Sequence, residues 1–134
     1  MIDFKRTVTH DDIAIVRVTG WLEEFTCPYF FGCMEELIGD GHHEIVIDCT
    51  ELGLISSSCL STLIKGRRRV SKRGGRIILA NVNSSILEVI GFLGLKQLFG
   101  IYPSCEQALI RIRRLKKQRR SDHLQDLALI GTSS

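Results

Sequence analysis

Ile55-Ser56-Ser57-Ser58-Cys59-Leu60 stands between two segments of opposite character, and their contrast decides the fold. Upstream, Glu44-Ile45-Val46-Ile47-Asp48 is a mostly β-branched apolar run ending in a charge, the pattern of a strand. Downstream, Leu60, Leu63, Ile64 and Val70 share one face of an amphipathic helix, predicted from about 57 to 73 and stopped by Gly74-Gly75. The serines therefore fall at or just before a helix N-terminus. There the unpaired backbone N–H groups and the positive end of the helix dipole favour a hydroxyl cap, or a phosphate if one is added. Capping alone is the simpler explanation of three serines in this place.

The pattern continues outward in both directions. Residues 2–9 and 13–20, parted by His10-Asp11-Asp12, read as a β-hairpin, with Ile13, Ile15 and Val18 inward and Gly20 as the end of the second strand. Pro28 marks a helix start, Phe30, Phe31, Met34, Leu37 and Ile38 give it an apolar face, and Gly39-Asp40-Gly41 stops it. The aromatic residues among them suit core packing. Arg76-Ile77-Ile78-Leu79-Ala80 has the continuous apolar character of a strand buried on both faces. Ser84 or Ser85 starts a helix to about Phe92, and Leu98-Phe99-Gly100-Ile101 is a short last strand whose glycine suggests an edge. Ser104 and Gln107 form a capping box for a helix predicted to run to about Lys117.

These elements give an α/β fold. They predict a mixed sheet of about five strands, an N-terminal hairpin followed by parallel βα units, with about four helices. Residues 1–117 form the domain, and 118–134 are expected as a basic and polar, mobile C-terminal tail.

Composition narrows the function. The chain has 134 residues, enough for one domain with its own core; it is 44% hydrophobic and 25% charged. No apolar run reaches the length of a membrane span, and the start lacks the shape of a secretion signal. Five cysteines without a Cys-x-x-Cys pair point to reduced thiols and a cytoplasmic protein. The net charge is +3, yet residues 111–120 alone hold seven Arg or Lys and no acid, so the rest of the chain is net negative. That distribution speaks for a basic tail and against a basic nucleic-acid-binding domain.

No catalytic constellation is visible. The histidines (10, 42, 43 and 123) stand in no nucleophile motif, and Gly-x-Ser-x-Gly, the phosphate-binding loop and Gly-x-Gly-x-x-Gly are all absent. Metal-ligand spacing is lacking as well. The sequence thus predicts a non-enzyme without metal or cofactor.

What remains is a strand, a hydroxyl loop and a helix N-terminus, and here the chain resembles the STAS domain family of anti-anti-sigma factors (anti-sigma factor antagonists). Asp48 followed by Thr50 resembles the family's strand-Asp-Leu-Ser lead-in. Ile55-Ser56-Ser57-Ser58-Cys59-Leu60 resembles its hydrophobic-Asp-Ser-Ser-Gly-Leu loop, and Gly74-Gly75-Arg76, Gly94-Leu95 and Glu106-Gln107-Ala108-Leu109 follow in order. The resemblance implies a cytoplasmic regulator of transcription that binds an anti-sigma factor acting also as a serine kinase. It implies phosphorylation at Ser58, with Ser57 as second choice, and a partner surface of Ser56, Ser57, Ser58, Cys59 and Thr62. It also leaves room for a homo-oligomer or a hetero-oligomer with other STAS chains.

Two positions depart from the pattern: Ser56 replaces the family's Asp and Cys59 its Gly. Loss of the acid bears on kinase recognition, and a side chain at 59 is expected to limit how closely a partner backbone approaches. A STAS scaffold module in a larger signalling assembly, working without phosphorylation, is one alternative. The other is a nucleic-acid or membrane-surface binder acting through Arg111 to Arg120; neither nucleic acid nor membrane is the expected partner.

Overall fold

The computed structural model describes residues 2–132. Its elements are β1 (Ile2–Val8), β2 (Ala14–Leu22), α1 (Cys27–Gly39), β3 (Glu44–Asp48), β4 (Leu52–Ile55), α2 (Ser57–Ser71), β5 (Arg76–Ala80), α3 (Ser84–Phe92), β6 (Gly100–Tyr102) and α4 (Cys105–Thr132). One mixed sheet runs β1-β2-β3-β5-β6, with β4 paired to β2. The hairpin β1–β2 is antiparallel and the remaining pairs are parallel, as the order of the sequence pattern implies. The last strand does lie at an edge.

Alternation along the central strands divides the core. Ile45 and Ile47 of β3 and Ile77 and Leu79 of β5 face one side, where they meet Phe30 and Leu37 of α1, Leu60 and Leu63 of α2, and Ile86 and Ile90 of α3. Val46, Ile78 and Ala80 face the other side, against Ala108 and Ile112 of α4. Three helices thus cover one face and a single helix covers the other. Each fully buried Leu, Ile or Phe contributes about 1.5–3 kcal/mol, so this two-sided burial is the main source of stability.

The structure departs from the sequence reading at three points. The sheet has six strands where about five were expected, because Leu52–Ile55, to which the sequence pattern assigns no element, forms β4. Gly20 does not end β2: its φ of 113° accommodates a register shift, after which Trp21 and Leu22 pair with Leu54 and Ile55. Ile13 and Ile15 pack on the α4 side, opposite to Val16 and Val18, so the hairpin strand is buried on both faces. Helix α3 starts at Ser84 and ends at Phe92, the bounds the sequence pattern predicts, and its cap is Asn83, whose side chain accepts from Ile86 N at 2.9 Å.

The last helix is also longer than expected: α4 continues through the predicted tail to Thr132. Leu124 and Leu127 are 58% and 51% exposed, so they do not pack on the domain. The side chains of Leu129 and Ile130, and residues Ser133 and Ser134, lie outside the described residues. Among the described residues no helix is long and apolar enough to cross a membrane.

Candidate functional site around the first turn of α2

Strand β4 delivers the chain directly into the hydroxyl cluster. Ser56 N donates to Leu22 O at 2.7 Å, fixing the end of β4 to the end of β2. Ser56 then takes an extended conformation (φ −82°, ψ 162°), and its Oγ accepts from Cys59 N at 3.3 Å. It is a helix N-cap, as the family's Asp at this position would be. Capping therefore occupies one serine of the three.

The other two hydroxyls are not needed by the fold. Ser57 and Ser58 are exposed in the first turn of α2. Their carbonyls accept from Ser61 Oγ at 3.2 Å and Thr62 Oγ1 at 3.4 Å, which leaves their own side chains to solvent. No acid stands in this first turn to oppose an added anion, and the helix dipole favours one. Thr62, half-buried one turn later, is also met by Cys27 Sγ at 3.7 Å.

Cys59 corrects the sequence reading. Its side chain is 0% exposed and points inward, with Sγ 3.8 Å from Glu23 O. Burial, with the neighbouring Cys27 thiol, pushes its pKa up to about 11, so it stays a protonated thiol. It offers a partner no side-chain contact, and it does not hold a partner backbone away. Ser56, Ser57, Ser58 and Thr62 lie together at the start of α2, with Cys59 buried beneath them.

The surroundings hold groups that the sequence reading missed. Trp21 and Leu54 are cross-strand partners at the β2–β4 pair and are 60% and 41% exposed. The Trp21 ring covers Gly53 so closely that a Cβ there would lie 2.8 Å from its Nε1. Phe25, 84% exposed, stands in the turn between β2 and α1. That turn is tied by Thr26, whose Oγ1 donates to Trp21 O at 2.6 Å and accepts from Glu23 N at 2.9 Å. These are three large apolar side chains held outward, Leu54 only two residues before Ser56. The available signal was the lone Trp just past Gly20 and a Phe set in an acidic turn.

Below the site, Asp48 gathers the strand ends. Its Oδ1 accepts from Thr50 N and Oγ1 at 3.1 and 2.5 Å, and from Asn81 Nδ2 at 3.1 Å. Among the described residues no three His, Cys, Asp or Glu converge as a metal-binding set.

Comparison with known proteins agrees with this arrangement. The profile of the STAS domain matches residues 5–108. An anti-sigma F factor antagonist of Paenibacillus polymyxa is 26% identical over 104 residues, covering 77% of this chain and 89% of the relative. The crystal structure of an anti-sigma factor antagonist from Mycobacterium paratuberculosis superposes with a TM-score of 0.76 at 23% identity, over 84% of this chain and 95% of that one. The Bacillus cell fate determinant SpoIIAA in its phosphorylated form superposes at 0.65 and 21%, over 82% and 99%. With its profile matched over most of the chain, and with the strand order and serine turn described above, this protein belongs to the STAS domain family.

Proposed function

We propose that this chain is a cytoplasmic anti-sigma factor antagonist that docks an anti-sigma factor acting also as a serine kinase, and that phosphorylation of Ser58 releases the partner. The observation that carries the reading is the division of labour in one turn: Ser56 caps α2, while Ser57 and Ser58 remain exposed. A phosphate adds about −1.5 to −2 charges and three acceptor oxygens. At a helix N-terminus such a charge is tolerated by the fold. It alters the contact surface without altering the core. The names of the relatives and the phosphorylated state of SpoIIAA support the same reading. The protein acts by binding and carries no reaction of its own. Trp21, Phe25 and Leu54 extend the docking surface beside the serines.

The test has two stages. A pull-down from the source cell with wild-type and Ser58→Asp protein identifies the partner, which the wild type retains and the variant loses. The purified partner with ATP then phosphorylates Ser58, located by mass spectrometry. Phosphate on another residue, or equal retention by both proteins, would overturn the switch.

A further inference from the structure

Helix α4 carries Arg113, Lys116, Lys117, Arg120 and His123 at steps of three, one, three and three, which places all five on one face. This face lies beside Asp11 of the β1–β2 turn, and the two border an open groove. Five Arg or Lys side chains line it, Arg119 being the fifth, against a single carboxylate, Asp11.

Three of the cations are fixed by the protein. Arg113 donates to the two carboxylate oxygens of Asp11, from Nε at 2.8 Å and Nη2 at 3.3 Å. Lys116 Nζ donates to the Asp11 carbonyl at 2.7 Å, and Arg119 donates to the Gly74 carbonyl. The one carboxylate is thereby engaged by Arg113. Lys117 and Arg120 are exposed, and among the described residues no carboxylate forms an ion pair with either. A helix face that served only solubility would need neither the wall formed by the turn nor three anchoring bonds. Fixed cations around a concave surface focus a positive field, and guanidinium forks match the oxygens of phosphate.

We propose that this groove binds a ligand bearing several phosphate charges, held directly by Lys117 and Arg120 in the field of Arg113, Lys116 and Arg119. The chemistry is that of a free polyphosphate or of a phosphate headgroup. The site lies on the α4 side of the sheet, near the end of α2 and away from its first turn, so its test is independent of the Ser58 switch.

Inorganic tripolyphosphate titrated calorimetrically into the full chain reads the free ligand, and co-sedimentation with phosphatidate-containing vesicles reads the headgroup. The diagnostic variant is Lys117→Gln/Arg120→Gln. The charge-matched control is Lys65→Gln/Arg68→Gln, on the exposed side of α2. Tripolyphosphate binding at one per chain, at least tenfold weaker in the diagnostic variant and unchanged in the control, supports a free polyphosphate. Vesicle binding alone with the same dependence supports a headgroup. Binding to neither, equal loss in both variants, or capture of double-stranded DNA alone would overturn the proposal. Circular dichroism confirms that each variant is folded.

Discussion

Asn81, the residue after β5, donates from Nδ2 to Oδ1 of Asp48 at the end of the neighbouring β3, at 3.1 Å. The two residues close adjacent parallel strands, and Asn81 adopts a φ of 59°, a left-handed conformation that asparagine tolerates better than most residues. With the two bonds from Thr50, Asp48 pins the loop that leads into β4.

Asp48→Ala should therefore destabilise the domain by about 1–2 kcal/mol, since it removes three hydrogen bonds that now reach a carboxylate from exposed Thr50 and half-buried Asn81. Urea unfolding measures the loss. Burial pushes the Asp48 carboxyl up, but the hydrogen bonds from Thr50 and Asn81 outweigh it and leave the pKa below the ordinary value. A carboxyl depressed in the folded state contributes stability above its unfolded pKa of about 3.9 and loses it as pH falls toward the folded value. The difference between wild type and variant should be full at neutral pH and shrink below about pH 4. A difference independent of pH would remove the charge from the explanation.

The serines of the first α2 turn should separate in their effects on stability. Ser56→Ala removes the N-cap and should cost about 1 kcal/mol. Ser58→Ala should change stability by less than about 0.5 kcal/mol, as expected for a surface site away from such features. Thermal unfolding of the two single variants checks the order. Equal losses would mean that residue 58 also serves the fold.

Cys59→Gly, which restores the residue usual in the family, should destabilise this chain. The change removes a fully buried side chain and places glycine inside a helix. The helix term alone is about 1 kcal/mol relative to alanine, and the lost burial adds to it. The measurement is the denaturant midpoint, and an unchanged or raised midpoint would contradict the inward packing of the thiol.

How much of this was legible follows the strength of each pattern. The runs at 44–48 and 76–80 are continuous and β-branched or aliphatic, so they identify central strands without ambiguity. The segment Leu52–Ile55 is four residues long and contains Gly53, and its pairing with β2 depends on a register shift at Gly20. Nothing local announces that shift. Past Lys117 the apolar stripe of α4 weakens, so helicity there is invisible to periodicity. The hydroxyl cluster was legible as a helix start, but which serine caps depends on where β4 ends. The inward turn of Cys59 follows from spacing once the helix is known to begin at Ser57, because Cys59, Leu63, Gly66 and Val70 repeat at four, three and four residues and are all buried.

Gly75→Ala should damage the fold. A Cβ at this position would lie 2.0 Å from the carbonyl oxygen of His43, a backbone atom held because Arg76 N donates to it at 2.8 Å. The β3–β5 pair must part locally to admit it. Overpacking of this kind costs about 1–3 kcal/mol, and more where only backbone can yield. Soluble yield and the urea midpoint both report it. Near-native stability would mean that the two strand starts are not so tightly apposed.

Phe25→Ser should separate docking from folding more cleanly than any change in the serines. The ring is 84% exposed, so its removal gives up little buried area, and stability should stay within about 0.5 kcal/mol of wild type. The turn that carries it is secured by Thr26 and does not depend on the ring. If the apolar groups beside α2 are the anchor of the docking surface, loss of one aromatic contact should weaken the partner complex by about 2 kcal/mol, roughly thirtyfold in Kd. Trp21→Ala should weaken it as well, but with some cost to the fold, because the indole also covers Gly53. Surface plasmon resonance on the isolated partner, with thermal unfolding of each variant in parallel, distinguishes the two. A Phe25→Ser protein that binds as tightly as the wild type would confine the contact surface to the serines and the helix start.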